Sequence, residues 1–126
     1  MESDKKQMLA RTGDMGLEAC AIRVKAARLS IGFTQLQMAE ALGLSRSTNI
    51  SNVEKGSQYP NREMMSWMFR EHRIDFNFLM AGFYAQLPGD VQQRLFPALE
   101  VAGSEWEKIQ GSGRSRSKQP RAPQET

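Results

Sequence analysis

Cysteine and histidine are almost missing from this chain, whose 126 residues include one of each, Cys20 and His72. A single cysteine cannot build a disulfide framework within one chain, and no Cys/His spacing fits a zinc site. The sequence also lacks a nucleophile–base triad and a glycine-rich phosphate loop. No catalytic residue is therefore assigned, no metal or other cofactor is expected, and the chain reads as a non-enzyme. No apolar run approaches the ~20 residues that span a bilayer, and the mixed-charge start MESDKKQMLARTGDMG is unlike a signal peptide. The expectation is a cytoplasmic protein with no membrane partner. Period-2 alternation is missing too, so no strand is expected.

What is present is concentrated in residues 33–56, FTQLQMAEALGLSRSTNISNVEKG, two short helical patterns joined by a glycine. Thr34 is placed to cap the first pattern, and Leu36, Ala39 and Leu42 follow at i, i+3, i+6 as one buried stripe. Gly43 stands where a helix stops and the backbone turns left-handed. The second pattern opens in a Ser/Thr/Asn cluster and carries only two apolar anchors, Ile50 and Val53. So narrow a stripe leaves most of that helix wet, with Ser, Thr and Asn outward in place of long charged side chains. Such a surface suits base edges and phosphates, and the segment reads as a helix-turn-helix.

In order along the chain stand Arg28, GFTQ at 32–35, Ala39, LGLS at 42–45, IS at 50–51, EKG at 54–56, Pro60 and IDFNFLMAG at 74–82. On these residues the chain resembles the lambdoid phage repressor (Cro/CI-type, XRE) helix-turn-helix family over about half its length, residues 22–82. Between Gly43 and Ile50 it is one residue longer than the family's common pattern. The resemblance implies an all-α fold: a compact five-helix repressor-like DNA-binding domain containing a helix-turn-helix. It implies a sequence-specific transcriptional regulator, a repressor by this likeness, that binds operator double-stranded DNA as a homodimer. The third helix would lie in the major groove, in the nucleoid of a bacterial or phage-infected cell. It also implies a structural ion pair, Arg28–Glu54, joining helix one to helix three, and Gln35 held against a DNA phosphate at the start of helix two. The alternatives are a phosphate contact for Arg28 and a solvated helix start for Gln35. A second reading keeps the module but gives it a protein partner, as in an antitoxin or a phage regulatory adaptor. Its contact surface would be Phe83, Tyr84, Leu87, Phe96 and Trp106.

Because Ile50 and Val53 face the core, DNA would meet the residues half a turn away. Asn pairs with adenine through N6 and N7, Ser and Thr serve several edges, and the Thr methyl meets thymine. Ser47, Thr48, Ser51 and Asn52 are assigned to base edges, with Arg46 and Asn49 at the boundary. Arg46 either reads guanine or holds a phosphate, and some of these positions serve only as caps or backbone contacts. Lys55 after the helix and Arg62 at the start of the next are assigned to flanking phosphates. Arg62 reads equally well as a solvated surface residue.

The net charge of +3 is informative only once located. Residues 111–126 hold four bases and one acid, whereas residues 1–110 balance thirteen against thirteen. Within residues 23–73 the count is eight basic to four acidic, a local excess on the DNA-binding segment. The expected organisation is a flexible N-terminal arm at 1–15 (with 5–11 able to extend a helix), the domain at 16–82, a short C-terminal helical extension at 83–110 and a disordered basic tail at 111–126. A first helix at 17–30 turns Cys20, Val24 and Ala27 inward. Helix four, at 62–72, is capped by Asn61 and buries Met64 or Met65, Met68 and Phe69. Asp75 caps helix five, which ends at Gly82. A sixth helix begins near Pro88 and is broken or kinked at Pro97. Val91, Leu95, Leu99 and Trp106 are the expected self-association surface.

Overall fold

Small residues put one helix at the centre of the molecule. In the computed structural model, which describes residues 1–117 and the side chains of 1–111, α2 (Leu17–Ser30) carries Ala19, Ala21, Ala26 and Ala27, all essentially inaccessible to solvent. Alanines on several sides let neighbours approach from all round, and nine of the fourteen residues of α2 are buried. Before it lies α1 (Ser3–Ala10); after it come α3 (Gln35–Ala41), α4 (Thr48–Glu54), α5 (Arg62–His72), α6 (Phe76–Ala81) and α7 (Gly89–Ser117). Packed against α2 are α4, α6 and α7; α1 lies on α7, α3 on α4 and α5 on α6. All regular structure among the described residues is helical. None of these helices is long and apolar enough to cross a membrane.

Side-chain caps set where several helices start. Thr34 Oγ1 accepts the Gln37 amide at 3.0 Å while Gln37 returns its side-chain oxygen to the Thr34 N–H at 2.9 Å, a complete capping box. Asn61 accepts from Met64 N at 2.8 Å, and Asp75 from Phe78 N at 2.9 Å. Each such cap is worth ~1 kcal/mol.

The N-terminal segment differs from the expected flexible arm. Residues 3–10 form α1, and Ala10 is fully buried. Arg23 helps to hold them, an arginine with no solvent exposure and, among the described residues, no carboxylate partner. Its Nε donates to Ala10 O at 2.8 Å, and Nη2 to Arg11 O at 2.7 Å and Asp14 O at 2.5 Å. Nη1 reaches Leu79 O at 3.4 Å and Cys20 Sγ at 3.9 Å. The guanidinium thus sits at the C-terminal ends of α1 and α6, where carbonyl dipoles favour a cation. Burial still pulls its pKa below the usual arginine value and pushes the buried Cys20 thiol up. Gly82 completes the site: at φ +77°, a Cβ there would stand 2.5 Å from Ala10 O and 2.9 Å from Arg23.

The C-terminal segment differs too. Helix α7 passes through Pro97 unbroken. A proline inside a helix forfeits one hydrogen bond and costs ~3 kcal/mol, but Pro97 itself is exposed, on the side where water can replace the lost bond. Leu95, Phe96, Ala98 and Leu99 around it are buried, and each large one contributes roughly 1.5–3 kcal/mol. Val91, Leu95 and Leu99 are core residues of one chain and are excluded as a self-association surface. Among the described residues α2–α6 are five helices in the expected segment, with α1 added before them and the two expected C-terminal pieces joined as α7. Residues 111–117, assigned to the tail, continue α7, and 118–126 lie outside the described residues.

Two apolar assignments shift. Phe69 is half exposed, and Trp67 takes its place in the core. The Trp67 ring meets Phe33 at 5.8 Å and His72 at 4.8 Å, edge-on, an aromatic trio that ties the entry of α3 to α5. In α3, Leu36 lies outward while Met38 and Ala39 fill the core.

Candidate nucleic-acid interface

The turn between α3 and α4 is built on Gly43. Its φ of +78° lets the chain reverse so that Leu44 N returns to Ala39 O at 2.8 Å. Residues 45–47 then form an irregular link before α4 starts at Thr48, with Ser51 N on Ser47 O at 2.9 Å. Ile50 and Val53 face inward, as expected. Ser47 stands at the N-cap but its hydroxyl caps nothing.

The faces of α4 follow from 100° steps around the helix. Ile50, Val53 and Glu54 are buried on one side. Opposite them fall Thr48, Asn52 and Lys55, at i, i+4 and i+7, with Ser51 beside the stripe. Thr48 and Lys55 are exposed, and Ser51 and Asn52 half-buried. Asn49 falls on the flank, where its side-chain carbonyl accepts from Gln58 Nε2. It ties the helix to the following loop rather than standing in the outward stripe. Arg46 projects from the link, and Arg62, the first residue of α5, is exposed as well. Across residues 41–62 the only acid is Glu54, and it is buried. Every exposed charge within residues 41–62, at Arg46, Lys55 and Arg62, is therefore positive, with exposed Glu40 and Glu63 just beyond that stretch.

Beneath the outward face, α4 is braced by one carboxylate. Glu54 accepts from Arg28 Nε at 2.7 Å and from Arg28 Nη2 at 2.9 Å, and both side chains are nearly inaccessible. Arg28 Nη1 donates to Phe33 O at 2.7 Å, which fixes the chain entering α3. Gln35 Nε2 donates to Glu54 Oε1 at 3.0 Å. An amide nitrogen carries two hydrogens, so this bond leaves Gln35 one donor for a phosphate while fixing its orientation. The pair reserved for structure and the residue assigned to phosphate are thus one network.

A further support comes from α7. The Trp106 ring lies against Gly56, the first residue beyond the Lys55 cap of α4, so closely that a Cβ there would sit 2.9 Å from the indole. Gly56 has φ +79°, a conformation that a side chain disfavours. One residue earlier in α7, Glu105 pairs with Lys25 of α2 at 2.6 Å, which holds its carboxyl below the usual range. Sequence reasoning missed Gly56–Trp106, Lys25–Glu105 and the Asn49–Gln58 bond, as well as Arg23. Helical spacing reports which face of one helix is apolar, and it carries no information on which distant residue will cover it.

Residues 24–66 match the family model described as helix-turn-helix. The matched stretch runs from within α2 through α3 and α4 into α5 and contains every residue assigned to the site. No curated protein and no solved structure matches the chain. A domain of this kind suggests a DNA-binding regulator.

Proposed function

We propose that the protein is a sequence-specific transcriptional regulator of the lambdoid Cro/CI type, a repressor that reads operator DNA with α4 in the major groove. The observation that carries this is the outward face of α4, where Thr48, Ser51, Asn52 and Lys55 stand over a helix braced by Arg28–Glu54. An apolar anchor row and a short polar reading row on one helix leave side chains that hydrogen-bond base edges without long charged stems in the way. Arg46, Lys55 and Arg62 surround that face with positive charge for the phosphate backbone, which supplies affinity but not sequence choice. Gln35, oriented by Glu54, adds a phosphate contact.

One such module covers half a site, so the operator is an inverted repeat bound by a homodimer, with half-site centres near ~34 Å apart. The protein works in the cytoplasm on the nucleoid, as a binding protein and not an enzyme. The protein-partner reading has lost most of its surface, since Leu87 and Phe96 are buried and Tyr84 and Trp106 half-buried, leaving Phe83 exposed. Selection from random duplex DNA tests the proposal. An enriched palindrome whose affinity falls steeply with salt is expected, and a pool with no enriched sequence would sink it.

A further inference from the structure

Helix α7 lies outside residues 24–66, the stretch that matches the helix-turn-helix model, yet it touches the end of the reading helix. Three successive loop residues tie that end down. Gly56 N donates to Val53 O at 3.1 Å, Ser57 N to Asn52 O at 2.9 Å, and Gln58 Nε2 to the Asn49 side chain. The loop is therefore one piece with α4, and Ser57 holds the carbonyl of Asn52, a residue of the outward stripe. Over the loop stands the Trp106 indole, whose far edge, Cη2, would meet a Gly56 Cβ at 2.9 Å. Only a bare backbone admits a ring so close. The indole Nε1 is buried with no hydrogen-bond partner among the described residues, so the ring meets α4 as an apolar surface and not as a donor. Next to it Glu105 grips Lys25 of α2 at 2.6 Å, and Arg28 adds to the pull that keeps this carboxyl ionised. Helix α7 thus bridges α2 and the end of α4, the same two helices that Arg28–Glu54 joins from beneath.

We propose that Trp106 is a positioning residue for sequence choice: by pressing on Gly56 it fixes how α4 presents Asn52 and Thr48 to base edges. It acts through others, since the ring covers Gly56, Ser57 follows in the same loop, and Ser57 holds Asn52. Arg28–Glu54 fixes α4 from its buried side, and Trp106 fixes the loop that closes its C-terminal end. Base readout needs each donor and acceptor placed to within about 0.5 Å. Phosphate contacts made by long side chains follow a small shift of the helix and survive it. Loss of the ring therefore costs discrimination between sequences and leaves the hold on the backbone intact.

This inference rests on the reading of α4 as the DNA-contacting helix, and the test separates the two. The ratio of affinities for the selected operator and an unrelated duplex is measured on the full chain and on four full-length variants. These are Trp106→Ala, Trp106→Phe, Gly56→Ala, and Gly56→Ala combined with Trp106→Phe. Trp106→Ala is expected to lower the ratio by roughly 5- to 150-fold, the range of one lost base contact. The slope of log affinity against log salt should stay the same, because no phosphate contact is lost. Trp106→Phe keeps an aromatic face and should lose less. Gly56→Ala should lower the ratio in the parent, where its Cβ meets the indole edge, and by a factor roughly threefold smaller beside phenylalanine, which lacks that edge. The strain of alanine at a positive φ is common to both backgrounds and cancels from that comparison. An unchanged ratio in a folded Trp106→Ala protein overturns the proposal. A shallower salt slope also overturns it, because the ring then supports a phosphate contact and not base readout. If Trp106→Ala does not fold, the Gly56→Ala comparison decides, and equal losses in both backgrounds overturn it. If the unaltered chain selects no sequence, the reading of α4 falls and takes the role of Trp106 with it. If the chain selects an operator and the variants select it equally well, the role of Trp106 alone falls.

Discussion

Arg28 reaches from α2 to Glu54 of α4 with one edge of its guanidinium, Nε on Oε2 at 2.7 Å and Nη2 on Oε1 at 2.9 Å. Because Nη1 also holds Phe33 O, one side chain fastens the first helix of the module to the entry of α3 and the end of α4. Breaking a buried pair strands the remaining charge, which costs ~3–5 kcal/mol, whereas replacing both partners with apolar groups is often nearly neutral. Glu54→Ala is therefore expected to lower the urea midpoint sharply, and the double variant Arg28→Met with Glu54→Leu to recover much of the loss. A Glu54→Ala protein as stable as the parent would show that the pair does not hold α4 in place.

The two faces of α4 make opposite predictions for neighbouring asparagines. Asn52 stands in the outward stripe, so Asn52→Ala should relax sequence preference at one or two base positions, by about 1–3 kcal/mol of discrimination each. Thr48→Ala should do the same at an adjacent position. Asn49, held by Gln58 on the flank, should change the preferred sequence little when replaced by alanine. Repeating the selection from random duplex with each variant reads this directly. A shifted preference from Asn49→Ala and none from Asn52→Ala would mean the helix is turned the other way in the groove.

Local signals in the sequence located the frame of the α3–α4 pair, and their reach explains what they missed. The start of α3 at Thr34, the turn at Gly43 and the inward pair Ile50 and Val53 each depend on residues within four positions, so spacing and cap chemistry report them. The partner of Arg28 was found only through the family pattern, since nothing local joins position 28 to 54. The local rule for Pro97 predicts a break because it carries no information on the burial around the residue, which tertiary packing supplies. Leu36 shows the converse: its helical spacing predicts a core position, but positions 38 and 39 face inward and leave it exposed. Arg23 carries no sequence sign at all. A basic residue within a first helix reads as solvated until α1 and α6 are seen to end on it.

Arg23 should be among the least replaceable residues of the domain. Five acceptors surround its guanidinium, and four are main-chain carbonyls, of which the bonds to Ala10 O and Leu79 O are buried. Arg23→Met leaves those carbonyls unpaired at ~1–3 kcal/mol each for the buried ones, and α1 should detach. Lysine keeps the charge but offers three donors from one point instead of a planar fork, so Arg23→Lys should rescue only in part. Amide hydrogen exchange is the measurement: both variants should lose protection in residues 3–10 before the rest of the fold, methionine more than lysine. Parent-like protection there would assign the docking of α1 to its contacts with α7 alone.

His72 gives the domain a mild dependence on pH through the aromatic trio. Its ring packs edge-on against Phe33 at 5.6 Å and Trp67 at 4.8 Å, and burial pulls its pKa below the ordinary histidine value, against the opposing pull of Glu71. The folded state therefore binds fewer protons than the unfolded chain, and stability rises with pH across the interval between the two pKa values. This contribution is fully present above the unfolded value of about 6.5 and is lost as pH falls through the lower, folded value. Urea unfolding between pH 8 and pH 5 should show the parent losing more stability than His72→Phe, which keeps the ring contacts without the titration. Because the trio anchors Phe33, whose carbonyl Arg28 holds, the same pH change should loosen the start of α3 before it disturbs α7. Equal losses in parent and variant would place the acid sensitivity elsewhere, in the carboxylates of the surface pairs.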